Sequence, residues 1–329
     1  MVEPIPYDRT ITSGLKSRKL VSELEHPVRW SFMKVLREHS DLKRFYPQID
    51  PYVEVYEFRK NLYCLFSDSL DAAGDPWMYL IDGSERAMLI DTGFGVGDLK
   101  ALVRELVGDK ELIVVNTHAH VDHCYGNCQF DRVYCHEAEL PRLRKTMNPH
   151  IWDYLFNDDG TCRWTEFDRA DLIPFKEYEA VGVEEGHLFD LGDGYVVEAV
   201  PLPGHTPGQC GYFDHVTGAI FIGDVTGIGK VEAGEPFADR CTVRAMRDAF
   251  KAFEPRFDQV TGVFSGHGML DQSSLTLRYH LEACEAIMAD PLHPDAKKEV
   301  VGGKGQKRTF LLRYIYQGTA IRYTEANVG

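Results

Sequence analysis

Three histidines and an aspartate fall within six positions, His118-Ala119-His120-Val121-Asp122-His123, shortly after the apolar, β-branched pair Val114-Val115. Imidazole nitrogen and carboxylate oxygen are favoured zinc ligands, and they serve iron or manganese with less selectivity. In an extended segment residues i and i+2 point the same way, so His118 and His120 can share one target. Asp122 and His123 are neighbours and point differently, which lets the segment face two metal positions. Solvated loop histidines are common, but a cluster this dense at a strand end has the pattern of a metal site.

Four further segments carry residues of the same chemistry. Leu89-Ile90-Asp91-Thr92-Gly93 lies upstream; Pro203-Gly204-His205-Thr206-Pro207-Gly208, Phe221-Ile222-Gly223-Asp224 and Ser265-Gly266-His267-Gly268 lie downstream. Each downstream segment follows an apolar run (196–200, 219–222 and 260–264) that reads as a strand. Strands that deliver ligands at their C-terminal ends can converge on one edge of a sheet. Gly204, Gly208, Gly223 and Gly266 flank the ligands, where the backbone must approach closely.

In this order, the five segments resemble the motifs of the metallo-β-lactamase superfamily over about Tyr52 to Asp290. The resemblance implies an α/β fold, a four-layer αβ/βα sandwich of the metallo-β-lactamase type. It divides the chain into an N-terminal helical extension (1–51), a catalytic domain (52–290) with a helical, aromatic insert (137–178), and a C-terminal β extension (291–329). By the same resemblance His118, His120 and His205 hold one divalent ion, Asp122, His123 and His267 hold a second, and Asp224 bridges them. Zinc is the first expectation for both ions, with iron or manganese as alternatives. Asp91 is expected behind the ligands, accepting hydrogen bonds that hold the histidine loop in shape. The glutamate that marks the flavin-linked di-iron branch is absent, since His120 stands there.

The implied chemistry is hydrolysis of an ester-type bond (a lactone, thioester or carboxylic ester) in a small molecule by a metal-activated water. Asp122 and Asp224 are the expected catalytic carboxylates, orienting the water, with Asp122 returning a proton to the leaving group. No Gly-x-Ser-x-Gly nucleophile motif occurs in a strand–turn–helix setting. Asp224 sets the chain apart from the β-lactamases proper, which lack the bridging aspartate. Gly227 stands where quorum-signal lactonases carry a tyrosine. The Pro-Gly-His-Thr-Pro-Gly segment is shared with glyoxalase II-like thioesterases, although their basic glutathione clamp is not recognisable and Lys230 alone does not make one. Alternatives from the same superfamily are a mononuclear iron persulfide dioxygenase and a phosphodiesterase; a ligand sensor with a residual site is the remaining one.

Composition sets outer limits. The 329 residues suffice for a large buried core, and the formal net charge of −15 disfavours nucleic acid as a partner. No apolar stretch approaches membrane length and the first residues are polar, so the expectation is a cytoplasmic protein without a membrane partner, and a homodimer is possible. Eight scattered cysteines suit reduced thiols. Cys124 adjoins His123, yet Cys124 and Cys128 read best as small buried residues at i and i+4 of a helix after the loop.

The elements that must position these residues follow from pattern. A helix is expected over 27–39, and a strand over 53–66. Strands are expected at 78–81 and 87–90 around the turn Asp82-Gly83-Ser84, then a helix over 96–107 leading into the strand before the metal loop. The segment 137–178, rich in Trp152, Tyr154, Phe156, Trp164 and Phe167, is expected either to wall a substrate pocket or to close on itself as a satellite core. Later come a hairpin (211–213, 219–222), helices at 241–253 and 273–289, and two strands (308–316, 319–323) around Gln317-Gly318. In this tail Lys307, Arg308, Arg313 and Arg322 either hold a substrate carboxylate or are simply exposed strand charges.

Overall fold

A computed structural model of the chain describes residue 16 and residues 32–231, 234–301, 307–316 and 319–329. Strands β1 (Lys43–Phe45), β2 (Val53–Arg59), β3 (Leu62–Ser67), β4 (Trp77–Asp82), β5 (Arg86–Ile90), β6 (Glu111–Val115), β7 (Arg132–His136) and β8 (Glu179–Val183) lie side by side in chain order. Pairing is antiparallel up to β5 and parallel from β5 to β8. A second sheet takes β9 (Leu188–Asp190), β10 (Val196–Pro201), β11 (Cys210–Asp214), β12 (Ala219–Gly223) and β13 (Gly262–Ser265), with only β12 and β13 parallel. A third, antiparallel sheet takes β14 (Ala296–Val301), β15 (Lys307–Tyr316) and β16 (Thr319–Tyr323).

The strand period of two sorts side chains into separate cores. In β4, Trp77, Tyr79 and Ile81 face the second sheet, whereas Met78 and Leu80 face the outer layer. In β5, Met88 and Ile90 point inward between the sheets, and Ala87 and Leu89 point outward. Both faces are buried, so these strands read as unbroken apolar runs rather than as alternation. Helices α1 (Phe32–His39), α2 (Leu99–Val107), α3 (Val121–Cys124) and α4 (Leu140–Thr146) precede the second sheet; α5 (Val243–Phe253) and α6 (Leu275–Ala289) follow most of it. Leu102, Val103 and Leu143 of α2 and α4 pack outside the first sheet, while Met246, Phe250, Leu277 and Leu281 of α5 and α6 pack outside the second. Three apolar interfaces thus separate four layers, α, β, β and α.

Several elements differ from sequence expectation. The stretch 53–66 is a hairpin rather than one strand: Asn61 turns it with a φ of 63°, a left-handed conformation that asparagine tolerates. Helix α2 begins at Leu99, because the Asp98 carboxylate caps it by accepting from Ala101 N at 2.9 Å. Cys124 and Cys128 are buried as expected, but α3 ends at Cys124 and a 3-10 turn continues over Tyr125–Gln129. All eight cysteines are free thiols. Trp152, Leu155, Phe156 and Phe167 of the 137–178 segment are buried in the outer core of the first sheet, and Trp152 Nε1 donates to Phe94 O at 2.7 Å. The tail adds β14 to the two expected strands; residues 317 and 318 lie outside the described residues, as do 27–31 of the expected first helix. Among the described residues no helix is long and apolar enough to cross a membrane.

Helix α1 is joined to the sandwich by charge as well as by packing. Leu36 is buried in the inter-sheet core, and the Arg37 guanidinium, 2% exposed, lies 2.8 Å from the fully buried Glu54 carboxylate and 3.0 Å from Asp68. Lys43 Nζ adds a second contact to Glu54 at 2.9 Å, and Tyr56 OH donates to it at 2.8 Å. Removing the cation leaves a buried carboxylate short of its main partner. Arg37→Ala is therefore expected to cost about 3 kcal/mol in chemical denaturation, and the double variant Arg37→Met, Glu54→Gln to recover part of that loss.

Candidate metal centre

The expected ligands come from both sheets and meet at one edge. His118 and His120 lie in the loop leaving β6, Asp122 and His123 open α3, His205 follows β10, Asp224 follows β12 and His267 follows β13. Backbone bonds hold the two sheets in register there: Cys210 N donates to Thr117 O at 2.9 Å and Trp77 N to Gly266 O at 2.8 Å. Gly266 has no room for a side chain, since a Cβ would sit 2.3 Å from Asp224 Oδ1 and 2.9 Å from His123 Cε1.

Three nitrogens face one point: His120 Nδ1 lies 3.1 Å from His118 Nε2 and 2.9 Å from His205 Nε2. Tetrahedral coordination with bonds of about 2.0–2.1 Å would set neighbouring nitrogens about 3.3 Å apart, so the triad fits a divalent ion with little adjustment. A second group gathers His267 Nε2 with Asp122 Oδ2 at 3.2 Å and His123 Nε2 at 3.4 Å. The Asp224 carboxylate lies between the groups: Oδ2 is 3.2 Å from His267 Nε2 and 3.7 Å from His205 Nε2, and Oδ1 is 3.7 Å from His123 Nε2. All seven side chains expected as ligands fall into three overlapping groups able to hold metal, and no cysteine joins them among the described residues.

Hydrogen bonds on the far side of the His118, His123, His205 and His267 rings fix which nitrogen faces the site. His205 Nδ1 donates to Gly227 O at 3.0 Å and His267 Nδ1 to Asp75 O at 2.9 Å. His123 Nδ1 lies 2.8 Å from Asp91 Oδ2. Asp91 also accepts from Thr117 N at 2.7 Å and Thr117 Oγ1 at 2.8 Å. The Thr117 hydroxyl, having donated to Asp91, is left to accept from His118 Nδ1 at 3.0 Å. Asp91 reaches this position with a φ of 65°, which is strained for a residue with a Cβ and is held by these three contacts.

Supports that sequence reading missed complete the frame. The Glu139 carboxylate, fully buried, accepts from Ala119 N at 3.0 Å and Gly208 N at 2.9 Å, tying together the loops that carry His120 and His205. Asn116 and Asn127 bond to each other at 2.7 Å, and Asn116 Nδ2 donates to His123 O at 3.1 Å. Their partners are 7 to 69 residues away in sequence, so no local motif exposes them.

The electrostatics divide the cluster. Burial, aided by neighbouring imidazoles, keeps His118 well below its ordinary pKa and pushes His120 down to about 3, which leaves both rings neutral and able to ligate. Burial would raise Asp122 and Asp224, but the nearby His123 and His267 hold both carboxyls well below the usual range. Burial likewise opposes charge on His267, yet Asp224 and Asp122 outweigh it and push the ring up to about 10. The carboxylate side of the site therefore draws positive charge, which is the condition for binding cations.

Asp91 touches no expected metal position, so its removal acts through His123 and Thr117. Asp91→Ala is expected to weaken metal affinity roughly 10–100-fold by chelator competition while the fold persists in circular dichroism.

Comparisons with known proteins agree with this geometry. The sequence profile of the Metallo-beta-lactamase superfamily matches residues 72–267. The acyl-coenzyme A thioesterase MBLAC2 of Homo sapiens is 28% identical over 173 residues, covering 49% of this chain and 62% of that protein. The hydroxyacylglutathione hydrolase GloC of Haemophilus influenzae is 26% identical over 162 residues, 46% of this chain and 68% of that protein. The chain thus spans less than two thirds of the length of MBLAC2. Among solved structures, the mono-zinc form of the metallo-beta-lactamase FIM-1 from Pseudomonas aeruginosa superposes with a TM-score of 0.50 at 15% identity, over 72% of this chain and 97% of that one. With the profile covering more than half of the sequence, the chain belongs to the metallo-β-lactamase superfamily.

Proposed function

We propose that this protein is a metal-dependent hydrolase of ester-type bonds in small molecules, with thioesters the favoured class. The observation that carries the reading is the Asp224 carboxylate set between two groups of ligands, a donor set with every position filled by nitrogen or oxygen. The names of MBLAC2 and GloC support thioesters over lactones, and Gly227 in the lactonase tyrosine position points the same way. In this reading residues 52–290 form the catalytic domain, with 1–51 and 291–329 as extensions.

His118, His120 and His205 would hold one divalent ion, and Asp122, His123 and His267 a second, zinc being the first choice for both. When bound, such ions lower the pKa of a water from 15.7 to roughly 7 and polarise the scissile carbonyl. The protein's own groups do the rest. Asp224 and Asp122 would accept hydrogen bonds from the attacking water and aim it at the carbonyl carbon. Asp122, next to the partly exposed His267, would take the proton and pass it to the departing sulfur or oxygen. The buried His118 and His123 lie on the side of the cluster away from solvent.

Elemental analysis of the purified protein and assay of matched thioesters, esters and lactones, with and without chelator, test the reading. Two divalent ions per chain and chelator-sensitive, oxygen-independent cleavage are expected. His120→Ala and Asp224→Ala should lose metal and activity together, by more than the roughly 100-fold that outer-sphere changes cost. One iron per chain with oxygen uptake on a persulfide, or full activity in either variant, would overturn it.

A further inference from the structure

A groove of about 870 Å³ opens beside His120 and His205. That is far more than an acyl carbonyl needs, and lies in the range of pockets that enclose whole ligands. It is lined by the loop at 228–231 and by the C-terminal sheet through Arg308, Phe310 and Arg322. Four cationic side chains line it, namely Arg142, Lys230, Arg308 and Arg322, and no carboxylate lines it among the described residues. In a chain of formal net charge −15, such a lining is a local reversal of the overall field.

The four cations are not equivalent. Arg142 is already engaged by Glu235, with Nη2 3.0 Å from Oε2. Lys230, Arg308 and Arg322 have no carboxylate partner among the described residues. Arg322 is the best placed of them. Its backbone is tied to the loop after Asp224 by Arg322 N donating to Thr226 O at 3.0 Å, and by Ile228 N donating to Arg322 O at 2.7 Å. Its guanidinium lies over the Phe310 ring at 5.0 Å, which fixes the plane of the fork. It passes close over Gly227, where a Cβ would be 3.6 Å from both Nε and Nη2. Gly227 O is the acceptor that orients His205, so the guanidinium is only one residue removed from an expected ligand. A planar, preset fork suits a carboxylate or phosphate.

We propose that this groove binds an anionic group, phosphate or carboxylate, on the leaving thiol or alcohol of the substrate. Arg322 and Arg308 are the principal contacts, and Lys230 assists at the rim. The proposal rests on the hydrolase reading and narrows its substrate class to esters whose departing half is negatively charged. The C-terminal sheet then acts as a specificity element, registered to the site by the backbone bonds at 226–228.

The test compares one acyl group carried as a thioester of coenzyme A (phosphates), of glutathione (carboxylates) and of N-acetylcysteamine (uncharged). At least one anionic thioester should exceed the neutral one in kcat/KM. That preference should fall about tenfold in Arg322→Met and in Arg308→Met, mainly through KM, and should weaken with added salt. Arg322→Lys should restore part of it. The preferred anion tells phosphate from carboxylate. No preference in the natural protein, or variants that slow neutral and anionic thioesters equally, would overturn the proposal. If none of these thioesters is cleaved, the preference for thioesters fails and the groove is judged by calorimetry with coenzyme A and glutathione themselves. Binding weakened about tenfold by Arg322→Met sustains the groove, and absence of binding to either at millimolar concentration overturns it.

Discussion

The site depends on offsetting the cost of holding three carboxylates, buried Asp91 and Asp122 and largely buried Asp224, close together. Carboxylates taken out of water are disfavoured unless positive charge or hydrogen-bond donors meet them. Asp91 is met by Thr117 N, the Thr117 hydroxyl and His123, and so becomes a fixed part of the frame. Asp122 and Asp224 are met mainly by imidazoles, and His267 is accordingly pushed up to about 10 despite its partial burial. The carboxylates on both sides that make this place attractive to a cation also hold the ring proton tightly, so a metal ion taking His267 Nε2 must displace it. Metal binding and proton release are therefore coupled on this side of the site, whereas the neutral His118, His120 and His205 are ready to ligate without losing a proton.

Ligands from two sheets can be held to a fraction of an ångström only if the sheets cannot slide. The inter-sheet core supplies that stiffness. Tyr79, Phe221 and Phe264 pack together beneath the site with centroids 4.8 to 5.7 Å apart, Phe221 stacked on Phe264, and Tyr79 OH donates to Ser265 O. Phe221 and Phe264 are register partners on β12 and β13, so the same contact that fills the core fixes where Asp224 and His267 emerge. An irregularity in the pairing between Phe221 and Gly223 turns the end of β12 as it delivers Asp224. Glu139 performs the equivalent task for the loops of His120 and His205, with hydrogen bonds in place of aromatic packing.

The expected ligands were legible because their types are rare and their spacing is local. Each lies within a few residues of a strand end whose apolar run announces it. The contacts that hold them were not legible, because they are defined by the fold: Glu139 meets Gly208 across 69 residues, and His267 is oriented by a backbone carbonyl, Asp75 O, that has no side-chain signature. The hairpin at 53–66 read as a single strand because Lys60-Asn61 carries neither glycine nor proline and apolar residues continue on both sides. Strand β14 went unseen because Lys297-Lys298-Glu299 has no apolar alternation; its pairing with β15 makes it a strand. The aromatic segment 137–178 offered two readings, and the burial of Trp152, Phe156 and Phe167 shows that it fills the outer core of the first sheet.

What remains is how one ligand frame is directed to particular substrates. In the proposed reading the metal cluster would recognise a polarised carbonyl, which all ester-type substrates share, so discrimination would come from contacts with the parts that do not react. Around this site the large basic surface belongs to the C-terminal sheet, and it is tied to the loop after Asp224 rather than floating beside it. An acidic chain repels anionic molecules at long range, with a reach of about 8 Å at physiological ionic strength. In the proposed reading a groove whose described lining carries no carboxylate would convert that repulsion into selection: an anion held at Arg308 and Arg322 would place the reacting bond beside His120 and His205. Positioning of this kind raises the rate without altering the metal chemistry, because it fixes the approach of the bond before the water attacks.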